Sequence, residues 1–162
     1  MPRIRAIDPQ EATGKAKELL DGVKAKIGMV PNLMRTFANS SAALEAYLSF
    51  SGALSSGSLS AKLREQIALA VADANRCEYC LSAHTAIGRM VGLNDNELAA
   101  SRQAKSSDSR TEAALTFAHE IVVKRGEISD GDLAAVRAAG YGDAEITEIV
   151  ANVALNILTN YF

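Results

Sequence analysis

Apolar residues recur along nearly the whole chain with the spacing of an amphipathic helix. In the segment 11–27, for example, they stand at Ala12, Ala16, Leu19, Leu20 and Val23. That spacing places them on one face of a helix. No segment shows a convincing alternation of apolar and polar residues, which is the pattern of a half-buried strand. The sequence therefore predicts an all-α protein with eight or nine helices.

Capping residues, glycines and prolines indicate where these helices begin and end. The predicted helices span residues 11–27, 33–38, 41–55, 61–75, 78–91, a short stretch after 94, then 109–125, 129–138 and a last segment from 143. The expected N-terminal caps are Ser60, Asn94 with Glu97, Ser109 with Glu112, Ser129 and Asp143.

Two of the predicted helices are more apolar than a surface helix. The stretch 67–72 is apolar on all sides, so we expect helix 61–75 to be central and buried. The last helix is nearly all apolar near its end, at Val150, Val153, Ala154, Leu155, Ile157, Leu158, Tyr161 and Phe162. A core position in the monomer and burial against another subunit both fit that pattern.

Length and composition narrow the class of protein. The 162 residues fit a single domain over residues 1–162, with an ordinary globular composition. A net charge of −2 and the absence of Trp argue against nucleic acid as a partner. The longest apolar run has six residues, far too few for a membrane span, and segment 1–8 lacks the apolar core of a signal peptide. We therefore expect a cytoplasmic protein, in which thiols stay reduced unless they take part in chemistry.

The two cysteines of the chain stand three residues apart, as Cys77-Glu78-Tyr79-Cys80. At a helix N-terminus the helix dipole favours a thiolate, and two sulfurs at this spacing can close a small disulfide. Lowering a thiol pKa from ~8.5 to ~7 raises its ionised fraction at neutral pH from ~3% to ~50%, for about 2 kcal/mol. The pair is therefore a candidate redox site. The alternative is that two buried thiols without a function happen to lie three residues apart.

His84 and Glu65 are the groups that could assist the cysteines. Cys80 and His84 are i and i+4 and share a helix face, so His84 can accept the thiol proton directly or through one water. If helices 61–75 and 78–91 pack antiparallel, Glu65 lies ~15 Å before the turn and His84 ~12 Å after it. A Glu65–His84 contact is then feasible, and it would orient the imidazole. The alternative for His84 is a partly exposed surface histidine, and without the thiols Glu65 would be interpreted as a solvated surface residue.

Zinc is the other interpretation of Cys77, Cys80 and His84. A structural zinc site needs four protein ligands, and a catalytic site needs three with a water. The one further His or Cys in the sequence is His119, which falls on a distant predicted helix. We therefore predict no metal and no other cofactor.

The pattern Glu65-x11-Cys77-x2-Cys80-x3-His84 resembles the alkylhydroperoxidase D-like (AhpD-like) group of the carboxymuconolactone decarboxylase superfamily. Further likeness extends over residues 28–162, in the segments Gly28–Met34, Leu59–Ile67 and Leu155–Phe162. The resemblance implies a compact multi-helix AhpD-like bundle with the CxxC motif at the N-terminus of a central helix. It also implies a homo-oligomer, either a trimer or a hexamer.

The resemblance further implies a thiol-dependent peroxidase. Cys80 would attack the peroxide and become a sulfenic acid, and Cys77 would resolve it to a disulfide. Glu65 and His84 would form the proton relay. A dithiol reductant, in some relatives a lipoyl-bearing adaptor protein, would regenerate the dithiol. Helix-dipole reasoning alone would instead select Cys77 as the nucleophile, because it lies nearer the helix start.

Two departures from the family pattern bear on these expectations. Well-known members carry His between the two cysteines, where this chain has Tyr79. A phenol can donate a hydrogen bond there as an auxiliary group but is a poor base at neutral pH, so we expect a lower rate. Relatives often continue past the Asn-Tyr-Phe sequence that ends here at Phe162, and assembly is expected to differ if that tail packs on a neighbouring subunit.

Two rival functions remain open from the sequence. One is a lactone decarboxylase like the superfamily's namesake, a chemistry that has no need of a dithiol. The other is a non-enzymatic redox-sensing oligomer whose dithiol switches its assembly. Mass spectrometry after mild peroxide treatment separates the sensor from the peroxidase, because a sensor forms its disulfide without turnover.

Overall fold

A computed structural model describes residues 3–162, and the first two residues of the segment assessed for a signal peptide lie outside it. The described residues form nine α-helices and no strand, which confirms the all-α prediction. The helices are α1 (Gly14–Ile27), α2 (Asn32–Phe37), α3 (Ser41–Ser55), α4 (Ala61–Ala74), α5 (Glu78–Met90), α6 (Asp95–Arg102), α7 (Ser109–Val123), α8 (Asp130–Ala138) and α9 (Asp143–Tyr161). Contacts divide the chain into two compact units, Met1–Ala53 and Leu54–Phe162. The expectation of one domain over residues 1–162 stays a prediction.

The first unit has a small core of its own. Leu20 of α1 and Leu44 of α3 are fully buried, and the rings of Phe37 and Tyr47 stack with centroids 5.2 Å apart. Helix α1 begins at Gly14 rather than at the predicted residue 11, because residues 9–11 form a turn that precedes it. The other predicted helix ends agree with the structure to within two residues.

Helix α4 is the centre of the second unit. It contacts α5, α6, α7 and α9, and its residues 66–72 are buried without a break. This confirms the prediction that a helix apolar on all sides is central. The core around it is completed by side chains of α7, α8 and α9, among them Leu115, Val136, Ile149 and Val153.

Helix α9 has one buried apolar face and one exposed apolar face. Ile149 and Val153 are at most 1% exposed, whereas Leu158 is 44% and Tyr161 74% exposed. The inner face belongs to the core of the second unit, as one of the two sequence interpretations predicts. The outer face is exposed to solvent at these residues, and its burial against another subunit stays a prediction.

Most of the predicted caps are present. Ser60 accepts a hydrogen bond from the Leu63 N–H, and Asn94 with Glu97 and Ser129 with Asp132 form capping boxes. Two predicted caps are wrong by one residue: Asp108, not Ser109, caps α7, and Gly142, not Asp143, precedes α9. Adjacent polar residues are both good caps, so composition alone could not separate Asp108 from Ser109. None of the helices in residues 3–162 combines the length and apolarity that crossing a membrane requires.

Candidate active site

The cysteine pair lies at a tight turn between α4 and α5. Helix α4 ends at Ala74 and α5 begins at Glu78, so three residues reverse the chain. Arg76 adopts a left-handed conformation with φ of 55°, and the Cys77 N–H donates to the Ala72 carbonyl at 2.9 Å. The two helices pack against each other, which brings residues before the turn beside residues after it.

Cys77 is the N-cap of α5 and forms a disulfide with Cys80. Their Cα atoms are 5.3 Å apart, an ordinary separation for a disulfide. The Cys77 Sγ accepts a hydrogen bond from the Cys80 N–H at 3.3 Å. This bond and the positive end of the helix dipole both favour negative charge on the Cys77 sulfur once the disulfide opens.

Cys80 is more deeply buried than Cys77, which packs against the same apolar cluster from its edge. The Cys80 side chain packs in this small cluster with Leu69, Ala72 and Leu81, and the residue is 5% exposed. Cys77 is half-buried. The Cys80 Sγ lies 3.9 Å from the carbonyl oxygen of Thr159, in the last turn of α9. A carbonyl oxygen can accept the hydrogen of a thiol and disfavours a thiolate beside it.

His84 and Glu65 are in direct contact, as the antiparallel arrangement of α4 and α5 predicts. The His84 Nδ1 lies 2.8 Å from the Glu65 Oε2, and the two side chains are 20% and 18% exposed. An ionised carboxylate accepts hydrogen bonds and donates none. Nδ1 therefore carries the proton, and Nε2 remains as the basic nitrogen of a ring held in one orientation. His84 is one helical turn beyond Cys80 and on the same face of α5.

The remaining sequence candidates lie apart from this relay. Tyr79 stands between the cysteines and is 55% exposed, and its hydroxyl has no hydrogen-bond partner among residues 3–162. His119 lies on α7, where its Nδ1 is 3.7 Å from a Glu120 carboxylate oxygen. No group of three metal-ligating side chains occurs in the described part of the chain, and Cys77 and Cys80 bind each other.

Sequence reasoning missed the contribution of the end of α9. Besides the Thr159 carbonyl, the Asn160 Oδ1 accepts a hydrogen bond at 2.9 Å from the Asn75 side chain, just before the cysteine turn. The Asn160 Nδ2 is buried and has no partner among the described residues. The Thr159 carbonyl could not be predicted, because every residue type supplies a main-chain acceptor. The one sequence signal for a contact between α9 and the cysteine turn was the presence of two asparagines, Asn75 and Asn160, that can bond to each other.

Comparison with known proteins shows the family to which the sequence is related. A sequence model of the carboxymuconolactone decarboxylase family matches residues 41–122, just over half of the chain. No curated protein matches the sequence significantly.

Solved structures resemble the chain over nearly its full length. The AhpD core of an alkylhydroperoxidase, a peroxidase-related protein from Ralstonia eutropha JMP134, has a TM-score of 0.86 and 28% identity, covering 99% of this chain and 88% of its own. A peroxidase-related protein from Silicibacter sp. TM1040 has a TM-score of 0.82 and 26% identity, covering 99% and 91%. The apo debrominase Bmp8 has a TM-score of 0.83 at 19% identity, covering 99% and 88%, and at that identity it shows the fold alone. The fold is AhpD-like.

Proposed function

The chain belongs to the carboxymuconolactone decarboxylase family, and from this membership and the geometry of the cysteine pair we propose that it is a thiol-dependent peroxidase. Its substrates are hydrogen peroxide or small organic hydroperoxides. One observation carries the proposal. A disulfide-forming pair opens the same helix on which an imidazole is held by a carboxylate, 2.8 Å away, on the neighbouring helix.

The oxidative half of the reaction uses both sulfurs. The Cys80 thiolate attacks one peroxide oxygen, the O–O bond breaks, and the products are a Cys80 sulfenic acid and an alcohol or water. The Cys77 thiol gives its proton to solvent and attacks the sulfenic sulfur as a thiolate; the disulfide forms, and the hydroxyl takes up one proton from solvent and leaves as water. His84 takes the proton of the Cys80 thiol and returns it to the departing oxygen, and Glu65 orients His84 and supports its charged form.

Burial of Cys80 is compatible with this role, because its oxidant is small. A site that is 5% exposed excludes bulky reagents more than it excludes a peroxide of two oxygen atoms. Apolar neighbours also keep competing water away from the reacting sulfur.

Steady-state peroxide consumption with dithiothreitol or dihydrolipoamide tests the proposal. We expect Cys80→Ser to abolish turnover, and Cys77→Ser to leave a sulfenic acid that a dimedone-type reagent traps. Wild-type turnover by Cys80→Ser would refute the assignment. A wild-type protein that forms one equivalent of disulfide per chain without turnover, in the presence of a dithiol, would instead indicate a redox sensor.

The reductant and the assembly also belong to the proposal. A dithiol, either small or borne by a lipoyl adaptor protein, reduces the disulfide in the cytoplasm, and the enzyme works as a trimer or a hexamer. The exposed apolar face of α9, with Leu158 44% exposed, supports self-association. Light scattering of the purified protein checks the assembly, and a monomer would contradict it.

A further inference from the structure

The two sulfurs of the disulfide present unequal targets to a reductant. Cys80 is 5% exposed and surrounded by apolar side chains, whereas Cys77 is half-buried and forms the cap of α5. A thiolate attacks a disulfide sulfur in line with the bond that breaks, from the side opposite the leaving sulfur. The attacked sulfur must therefore be open on its outer side.

We propose that the reductant attacks Cys77 and that Cys80 is the leaving sulfur, so that the covalent intermediate of reduction is a mixed disulfide on Cys77. This inference rests on the proposed function for its place in a catalytic cycle. It separates the partners of the two half-reactions. The small oxidant reacts at the buried sulfur of Cys80, and the larger reductant reacts at the half-buried sulfur of Cys77.

The surroundings of Cys80 suit a sulfur that leaves and then takes up a proton. His84 lies one turn away on the same helix face and, when protonated, is held by Glu65 at 2.8 Å, so it can deliver that proton. The Thr159 carbonyl, 3.9 Å from the Cys80 Sγ, can then accept the new S–H. The Thr159 carbonyl and the apolar neighbours favour the neutral thiol over the thiolate, and once His84 has delivered its proton the Cys80 thiol returns to the mixed disulfide more slowly.

The surroundings of Cys77 favour its release from the mixed disulfide in the second step. The second thiolate of the reductant attacks the reductant's own sulfur in the mixed disulfide, and Cys77 leaves as a thiolate. The Cys80 N–H, 3.3 Å from the Cys77 Sγ, and the N-terminus of α5 stabilise that negative charge. A good leaving thiol accelerates exchange.

The complete reduction balances. The dithiol reductant forms a bond to the Cys77 sulfur, the Cys77–Cys80 bond breaks, and Cys80 takes one proton. The reductant then closes its own disulfide, and Cys77 is released. The reductant has lost two electrons and two protons; the protein pair has gained both electrons, one proton is on Cys80, and the other goes to solvent while Cys77 stays a thiolate, or to Cys77 itself. A monothiol stops at the first stage, because it carries no second sulfur.

A trapping experiment on the full wild-type chain locates the attacked sulfur. The disulfide form is mixed with glutathione, quenched at short times with acid and denaturant, and then labelled in the unfolded state with excess N-ethylmaleimide. Trypsin cuts after Arg76 and Arg89, so both cysteines lie in one peptide, and fragmentation between them assigns each label. Extrapolation to zero time removes later exchange between the two sulfurs.

We expect glutathione on Cys77 and maleimide on Cys80, in excess over the reverse pattern by roughly tenfold or more. Glutathione mainly on Cys80, or equal labelling, would overturn the inference. The single-cysteine variants provide a second measurement. The glutathione adduct of Cys80→Ser should be reduced by dithiothreitol faster than the adduct of Cys77→Ser, and the opposite order would contradict the proposal.

This experiment contains no peroxide, so its outcome is independent of the peroxidase assay. Glutathione on Cys77 in a protein that consumes no peroxide would remove the proposed function and keep the assignment of the attacked sulfur. Peroxide turnover with glutathione on Cys80 would remove the assignment alone.

Discussion

Replacing Glu65 by Gln tests whether the carboxylate acts through His84. The substitution keeps the size of the side chain and removes its charge, at a contact of 2.8 Å between groups that are each about four-fifths buried. A glutamine offers Nδ1 either a neutral acceptor or an N–H donor, and the donor would favour the wrong tautomer of the imidazole. The variant therefore removes the negative charge beside His84 and weakens the contact that orients the imidazole ring.

The size of the effect follows from the contact. A hydrogen bond to a charged group contributes about 1.5–3 kcal/mol, and each ~1.4 kcal/mol of lost transition-state stabilisation is tenfold in rate. We expect kcat/KM for hydroperoxide to fall by roughly 10- to 100-fold in Glu65→Gln. Because the disulfide and the apolar cluster around Cys80 are unchanged, the glutathione label in the trapping experiment should stay on Cys77.

Steady-state peroxide consumption with dithiothreitol measures this loss, and Glu78→Gln is the matched control. Glu78 lies in the first turn of α5, directly after Cys77, so the control removes the same charge beside the same sulfurs without touching His84. We expect the control to stay within about threefold of wild type, since an exposed charge near a helix end contributes only ~0.3–1 kcal/mol. Equal activities of Glu65→Gln and wild type would refute the relay.

Three further predictions concern other parts of the chain. Tyr79→Phe should keep kcat/KM within about twofold of wild type, since a hydroxyl without a described partner supports no orientation, and a larger loss would show that the phenol takes part in the reaction. Hydrogen bonds from the Ser58 side chain and main chain lower the pKa of Glu148. Glu148→Ala should therefore lower the free energy of unfolding in urea by about 1–3 kcal/mol near pH 7. This loss should become smaller as the pH falls below about 4.5, because the carboxylate is then protonated and its stabilising charge disappears. A loss that does not change with pH would contradict the prediction. Gly88→Ala should destabilise by about 1–3 kcal/mol, because its Cβ would lie 2.6 Å from a methyl group of the buried Leu98. An unchanged urea midpoint would show that the Leu98 side chain moves aside at no cost.

The features that the sequence predicts correctly are those that depend on the regular geometry of neighbouring residues in the chain. Helix positions follow from the spacing of apolar residues, and the central place of α4 follows from a stretch that is apolar on all sides. The Glu65–His84 contact also follows from local geometry, because a fixed rise per residue and a three-residue turn bring the two side chains to similar depth. None of these inferences needs a contact between segments that are far apart in sequence.

The parts of the site that sequence reasoning missed depend on such distant contacts. Thr159 is 79 residues from Cys80, and it contributes a main-chain carbonyl that every residue type would supply. Cys80 likewise is buried inside the cluster with Leu69 and Leu81, while Cys77 lies at its edge, and the spacing of the cysteines does not encode this difference.

The two sulfurs are therefore controlled by different parts of the fold. The hydrogen bond to the Cys77 Sγ comes from a residue three positions away, so it forms wherever a cysteine caps this helix. The carbonyl near Cys80 comes from α9, whose last turn is tied to the segment before the cysteines by the Asn75–Asn160 hydrogen bond. A change in the packing of α9 thus acts on the Cys80 sulfur directly, through the Thr159 carbonyl, and on the Cys77 turn through the Asn75–Asn160 hydrogen bond.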